Sequence, residues 1–187
     1  RLKEVGLRMS SPLGFNNSYQ IGVHQSIAEK FQLQTISDLR RHPQLRCGFS
    51  NEFMDRADGW KNLKQAYGLP QTDVKGLQHD LAYRQLEMGL IDVMDVYQTD
   101  ANLMQYPIRV LQDDLHFFPR YDAVLLYRED LEKQYPRLVD TWETVTGLVS
   151  ESAMRELNGR CLMNKESERL VAGGFLKTHL GVESQTA

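Results

Sequence analysis

Over the first 127 residues, short apolar runs alternate with stretches in which apolar residues recur at helical spacing. The runs are four to eight residues long, bounded by turn-forming residues and rich in β-branched side chains, so they predict strands. Strands that alternate with helices indicate a mostly parallel sheet covered by helices on both faces, an α/β fold. The predicted strands are residues 20–23, 45–49, 74–77, 90–97 and 121–127, with a further strand near Val110.

Several polar residues mark expected helix starts. Ser26 and Glu29 have the spacing of a capping box, and Asp58 and Asp80 stand where a helix cap is expected. After Arg128 the pattern is helical, with no clear strand. The last third of the chain is therefore predicted to be a helical segment.

Composition narrows the class of protein. The chain has 187 residues, 41% of them hydrophobic, and 25 acidic against 22 basic side chains give a net charge of −3. These values argue against a disordered chain and against a dedicated nucleic-acid surface. The apolar runs are too short for a membrane-spanning helix. Cys47 and Cys161 are far apart and are predicted to be unpaired structural cysteines.

No pattern of residues predicts catalysis or a metal. Asp113, Asp114 and His116 are close in sequence, but neighbouring residues rarely face one site and no established metal-ligand spacing accompanies them. His79 and Asp80 at a helix start are interpreted as a cap rather than an acid/base pair. We therefore expect no cofactor, no metal and no enzymatic activity.

Three tyrosines and one arginine are more informative. Tyr97 ends a predicted strand, Arg56 follows another, and Tyr19 and Tyr121 stand at candidate joints of the chain. Ligands of α/β sheets collect outside the carboxyl ends of the strands. Together these residues could hold a cation between aromatic rings and a carboxylate in a guanidinium fork. The alternative is that the tyrosines are packing residues and Arg56 is a surface charge.

Five strings of residues, taken in order, resemble one family. They resemble the substrate-binding proteins of osmoprotectant ABC importers, which bind glycine betaine, choline, carnitine and related quaternary amines. The resemblance covers roughly residues 2–180. The strings are GFNNSY at 14–19, GFSNEFMDRADGW at 48–60, AYGL at 66–69, GLIDVMDVYQTD at 89–100 and LQDDLHFFPRY at 111–121.

The resemblance implies a periplasmic-binding-protein fold of type II, with two α/β lobes joined by a hinge that the chain crosses twice. Residues 1–18 would be the end of lobe one and the first hinge crossing, and residues 19–120 would be a complete lobe two with a mostly parallel mixed sheet. Residues 121–187 would be the second crossing and the helical C-terminal segment of lobe one. The first half of lobe one would precede residue 1, so we expect weak or undetectable ligand binding by this chain alone.

The resemblance also implies roles for residues. Tyr19, Tyr97 and Tyr121 match the tyrosines that surround the trimethylammonium group, and Arg56 matches the residue that takes the carboxylate. Asn17 matches a polar residue close to the ligand. The implied function is a periplasmic or extracytoplasmic receptor that delivers a quaternary amine to a permease in the membrane, with no nucleic-acid partner.

Three other interpretations stay open. The ligand could be another trimethylammonium compound, such as the betaine of a thiol-histidine, or a different small cation. The chain could also be a regulatory or interaction domain of the same fold that binds no ligand. The third interpretation is an enzyme on a similar scaffold. The lack of a recognisable nucleophile and base disfavours it.

Overall fold

The chain folds into two compact units. The structure, a computed structural model, describes residues 2–181. Residues Ser18–Arg120 form one unit, and the described residues 2–17 and 121–181 form the other. The hinge-and-lobe interpretation of these ranges stays a prediction.

Among the described residues the strands and helices follow the alternation expected from the sequence. The strands are β1 (Leu7–Met9), β2 (Tyr19–His24), β3 (Cys47–Ser50), β4 (Val74–Leu77), β5 (Val93–Tyr97), β6 (Ile108–Leu111) and β7 (Leu126–Arg128). The helices are α1 (Gln25–Phe31), α2 (Asn51–Asp55), α3 (Trp60–Tyr67), α4 (His79–Glu87), α5 (Leu131–Gln134), α6 (Pro136–Glu143), α7 (Glu151–Leu162) and α8 (Glu168–Leu180). Short 3₁₀ turns occupy Lys3–Val5, Ile36–Arg41 and Ala101–Met104.

The Ser18–Arg120 unit is built on a five-stranded sheet in the order β4-β3-β5-β2-β6. Strand β3 pairs in parallel with β4 and β5, whereas β2 pairs antiparallel with both β5 and β6. Strand β2 alone runs against the other four, so the expected mostly parallel mixed sheet is confirmed. Because β2 is reversed, its first residue lies at the same edge as the last residues of β3 and β5.

The two faces of this sheet have separate apolar cores, because side chains alternate along each strand. Val93 of β5 packs in the core that includes Leu63 and Tyr67 of α3. Met94 and Val96 pack on the other face, in the core that includes residues of α4. The prediction that helices cover both faces is therefore confirmed.

Three predicted helix caps are wrong. Helix α1 begins two residues earlier than the Ser26 box implies, since His24 is its N-cap and accepts the Ser26 backbone N–H. Helix α3 is capped by Gly59 without a side-chain bond, because the Asp58 carboxylate binds an arginine instead. The backbone of Gln78 caps α4. In each case the residue that looked like a cap has a competing partner or lies inside the first turn.

The second unit contains a short antiparallel pair, β1 with β7, and the four helices α5 to α8. The helical character predicted after Arg128 is confirmed. The strand predicted over 121–127 is wrong for most of its length, since only Leu126–Arg128 form a regular strand. In the earlier part of this range, Asp122 instead forms an isolated antiparallel β-bridge with Asn16.

Candidate functional site

Tyr19 and Tyr97 meet at the edge of the sheet where β3 and β5 end. The two residues are directly opposite each other in the antiparallel register of β2 and β5. Their ring centroids are 4.8 Å apart with an interplanar angle of 39°. Their hydroxyl oxygens are 3.2 Å apart. Because cross-strand partners point to the same face, this tyrosine pair is a direct product of the reversed direction of β2.

Other aromatic rings hold the tyrosine pair in place. Phe53 lies 5.0 Å from Tyr19 between ring centroids, and Phe118 lies 6.4 Å from it. Tyr19 is only 4% exposed, whereas Tyr97 is partly exposed. The packing interpretation therefore holds in part for Tyr19, while Tyr97 presents more of its ring to solvent.

Arg56 places a cation on the tyrosine pair. Its guanidinium carbon lies 5.5 Å from the centroid of the Tyr19 ring. The same guanidinium donates to both carboxylate oxygens of Asp58, at 2.8 and 3.1 Å. A third, longer contact joins it to Glu52 at 3.5 Å. Glu52 also accepts the Tyr97 hydroxyl at 3.3 Å.

A buried carboxylate fixes the start of the helix that leads to Arg56. Asp95 is fully buried and accepts the backbone N–H and the hydroxyl of Ser50, at 2.6 and 2.7 Å. Ser50 in turn caps α2, since its hydroxyl oxygen accepts the Phe53 backbone N–H. The Asp95 side chain thus connects strand β5 to the start of helix α2, and it fixes where the residues from α2 to Arg56 lie.

The local electrostatics keep the tyrosine hydroxyls neutral. Burial raises the pKa of Tyr19 above its ordinary value, and its hydrogen bond with Tyr97 adds to the effect. Burial also raises the pKa of Tyr97. Both phenols therefore stay protonated near neutral pH.

A second polar cluster lies beside Tyr97. The Asp100 carboxylate accepts the backbone N–H of Tyr97 at 2.9 Å and the hydroxyl of Tyr83 at 2.6 Å. His79 Nε2 lies 2.9 Å from the same oxygen, and its ring is 4.9 Å from the Tyr97 ring. The interpretation of His79 and Asp80 as a helix cap is wrong, because His79 faces this cluster.

Asn17 and Tyr121 belong to the other unit, where their backbones meet. The Asn17 N–H donates to the Tyr121 carbonyl at 3.0 Å, and the Tyr121 N–H donates to the Asn16 side chain at 2.7 Å. Tyr121 is 39% exposed. The five predicted residues are thus distributed as Tyr19, Arg56 and Tyr97 in one unit and Asn17 and Tyr121 in the other.

The carboxylates around the tyrosines were not predicted as site residues. Asp95 could have been found, because a lone aspartate inside the apolar strand 93–97 must be buried and must therefore have partners. Glu52 and Asp58 carry no such signal, since charged residues beside an exposed helix are common. Asp100 and His79 are distant in sequence, and only the fold brings them together.

Other kinds of site receive no support in the described part of the chain. Among residues 2–181, no three His, Cys, Asp or Glu side chains are grouped so that they could hold a metal ion. Within the same residues, every helix is too short or too polar to cross a membrane. Cys47 is buried and Cys161 is partly buried, both as free thiols, which confirms that prediction.

The fold and the site together define a class of protein. An α/β sheet with aromatic rings and a guanidinium at the carboxyl edge of its strands provides the setting in which such sheets bind small organic ligands. The class is that of solute-binding proteins with the periplasmic-binding-protein fold. Comparison with known proteins makes the assignment more specific.

The chain belongs to the family of substrate-binding domains of ABC-type glycine betaine transport systems, whose model matches residues 2–178. It is 32% identical over 176 residues to the ergothioneine transport permease/ergothioneine binding protein EgtU of Helicobacter pylori, covering 94% of this chain and 32% of that protein. It is 34% identical over 166 residues to the carnitine transport binding protein OpuCC of Listeria monocytogenes, covering 88% of this chain and 54% of that protein. This family consists of transport proteins, not enzymes.

A solved structure agrees with the assignment. The crystal structure of a glycine betaine/carnitine/choline ABC transporter protein is 35% identical, with a TM-score of 0.83. The match covers 95% of this chain and 65% of that one. The chain spans 32%, 54% and 65% of the lengths of these three proteins.

Proposed function

We propose that this chain supplies part of the receptor of an ABC importer, and that its ligand is a quaternary amine such as glycine betaine, choline or carnitine. In this proposal the ammonium group binds against the rings of Tyr19 and Tyr97. Arg56 binds the carboxylate of those ligands that have one. The receptor then delivers the ligand to a permease in the membrane from an extracytoplasmic position.

The observation that carries the proposal is the Tyr19 and Tyr97 pair with a cation beside it. A quaternary ammonium cannot donate a hydrogen bond, so a protein must recognise it through π faces and shape. The guanidinium of Arg56 lies 5.5 Å from the Tyr19 ring, within the range of a cation–π contact. An electron-rich tyrosine ring at this edge of the sheet is therefore suited to a positive group, and Tyr97 presents the more exposed of the two rings.

The surroundings of Arg56 also support a role in carboxylate binding. Asp58 holds one side of the guanidinium in a bidentate pair, which fixes its orientation. Glu52 is 60% exposed and makes only a 3.5 Å contact with Nη1. A ligand carboxylate would replace Glu52 at this position, at the cost of its weak, exposed ion pair with Arg56 and its 3.3 Å contact with the Tyr97 hydroxyl.

Tyr121 and Asn17 are proposed as further ligand residues on the strength of the family motifs. Tyr121 would be a third tyrosine around the ammonium group, and Asn17 a polar neighbour of the ligand. The backbone bond from the Asn17 N–H to the Tyr121 carbonyl supports this pairing, because it places the two residues next to each other.

A second candidate ligand is ergothioneine. The Helicobacter pylori relative carries that name and matches 94% of this chain at 32% identity. Ergothioneine is itself a trimethylammonium betaine with a carboxylate, so the proposed tyrosines and Arg56 would bind the same two groups. Its thiol-imidazole ring would need partners beyond the five proposed residues.

Calorimetric titration with glycine betaine, choline, carnitine and ergothioneine at millimolar concentrations tests the proposal. Tyr97→Leu removes one π face, which is worth about 1–2 kcal/mol, so binding of every quaternary amine should weaken about 5- to 30-fold. Tyr135→Leu is the matched control, since Tyr135 is 58% exposed and lies in the other unit. Equal effects of the two substitutions would contradict the proposal.

A further inference from the structure

His79 lies behind Tyr97 and between two carboxylates. It is the first residue of α4, and its ring centroid is 4.9 Å from that of Tyr97 at an angle of 49°. Its Nε2 lies 2.9 Å from Asp100 Oδ2, and its Nδ1 lies 3.7 Å from Asp95 Oδ2. The His79 side chain is 22% exposed and the Asp95 side chain is fully buried.

Building on the proposed function, we propose that His79 is a positioning residue for ligand binding. It is held as an imidazolium between Asp95 and Asp100, and in that form it determines where the Tyr97 ring lies. The affinity of the tyrosine pair for a quaternary amine therefore depends on the side chain at position 79, although His79 itself does not contact the ligand.

Asp100 connects His79 to the backbone of Tyr97 as well as to its ring. One oxygen of Asp100 accepts the Tyr97 N–H, the Tyr83 hydroxyl and the contact from His79. A loss of the His79 partner would leave this carboxylate with fewer donors and let it move. The Tyr97 backbone, which is bonded to the same oxygen, would move with it.

The geometry favours the charged form of His79. If Nε2 carries its proton towards Asp100, the neutral ring directs the Nδ1 lone pair at the Asp95 carboxylate only 3.7 Å away. That arrangement is repulsive, whereas a proton on Nδ1 makes it attractive. Nδ1 is also buried without a hydrogen-bond partner, so no solvent or neutral acceptor offers an alternative.

The groups that face His79 come from each element packed around it. Tyr83 on α4 meets the ring edge-on at 5.4 Å. Asp95, Tyr97 and Asp100 come from β5 and the turn after it, and Ser50 at the end of β3 donates to Asp95. Two acidic groups therefore face one basic group, which leaves one net negative charge behind Tyr97 when His79 is protonated.

Burial opposes the charge on His79, but the carboxylates of Asp100 and Asp95 outweigh it and raise the pKa of His79 to about 10. The unfolded chain has a histidine pKa of about 6.5. The folded state therefore binds more protons between these values, and the contribution of His79 to stability is complete below about pH 6.5. That contribution is lost as the pH rises through about 10.

Side-chain NMR of the imidazole nitrogens tests the protonation directly, with His79→Gln used to assign the signals. We expect the His79 signals to keep the imidazolium shift at pH 8, where an ordinary histidine is neutral. Titration of His79 near pH 6.5 would overturn the proposal. The free energy of unfolding should also fall between pH 7 and 9.5 more steeply in the unmodified chain than in His79→Gln.

Two variants each remove a different feature of the His79 side chain. His79→Gln keeps a donor for Asp100 but loses the ring and the charge, whereas His79→Phe keeps a ring against Tyr97 without a donor. Both should move the Tyr97 ring resonances and weaken choline binding about fivefold, the loss of roughly one cation–π contact. His42→Gln is the control, because His42 packs on Phe31 away from the site.

The outcomes also distinguish this inference from the proposed function. Unmoved Tyr97 resonances, or choline binding that is unchanged or tighter in His79→Gln, would overturn the positioning role. Absence of quaternary-amine binding by the unmodified chain would contradict the proposed function for this chain alone, and the Tyr97 resonances and the His79 protonation would still decide the positioning role. If the unmodified chain binds choline and the His79 variants bind it as tightly as His42→Gln does, the inference alone fails.

Discussion

At the scale of single residues, we propose that Arg56 determines which ligands the proposed site discriminates. Its guanidinium contacts the Tyr19 ring, the Asp58 carboxylate and, at a longer distance, Glu52. The planar fork suits a carboxylate better than a lysine ammonium would. In the proposed site, a ligand that carries both an ammonium and a carboxylate would use the tyrosine pair and Arg56 together, whereas choline would use only the rings.

We therefore predict that Arg56→Ala weakens the binding of glycine betaine more than the binding of choline. The lost charge-assisted hydrogen bonds are worth about 1.5–3 kcal/mol, which is roughly a 10- to 150-fold loss for glycine betaine. Parallel calorimetric titrations of the two ligands measure the difference. Arg84→Ala, at an exposed position of α4, should change the affinity for neither ligand. Equal losses for glycine betaine and choline would remove the carboxylate role from Arg56.

At the scale of elements, the turn between α2 and α3 holds Arg56 and Asp58 together. The chain passes so close to itself here that a Cβ at Gly59 would lie 1.9 Å from the Phe53 carbonyl oxygen. Gly59 has an ordinary negative φ, so the close approach and not the dihedral angle requires glycine. Gly68, at the end of α3, is the opposite case, with a φ of +60° and open space around it.

This contrast gives a paired prediction for stability. Gly59→Ala should lower the free energy of unfolding by about 3 kcal/mol, because the backbone around Phe53 must move. Gly68→Ala should cost only about 1 kcal/mol, the strain of a left-handed conformation. Urea unfolding followed by circular dichroism measures both. A smaller loss for Gly59→Ala than for Gly68→Ala would show that the turn accommodates a side chain.

Element types were easier to predict than their boundaries. Apolar runs located β3 and β5, because a strand buried on both faces must be largely apolar. Residues 90–92 were included in the β5 strand although the regular strand begins at Val93. The wrong caps have one cause, since Ser, Asp and His serve equally well as caps and as partners of distant groups. Nothing local in the sequence decides between these roles.

At the scale of the whole molecule, the fold class could be predicted but its site only in part. The alternation of strands and helices is sufficient for an α/β fold, and the family motifs supply the candidate ligand residues. The direction of β2 follows from no local pattern, although it is what brings Tyr19 opposite Tyr97. The supporting carboxylates depend on that topology and therefore could not be found from spacing.

The central claim is that the tyrosine pair recognises a positive charge through its π faces, and an NMR titration of the aromatic ring signals tests it most directly. The ligands are choline and its neutral carbon isostere, in which a tert-butyl group replaces the trimethylammonium. Because the two have the same shape and differ in charge, we predict that choline shifts the Tyr97 ring signals and binds at least about fivefold more tightly than the isostere. Equal affinity for both, or choline shifts confined to residues away from Tyr19 and Tyr97, would contradict the account.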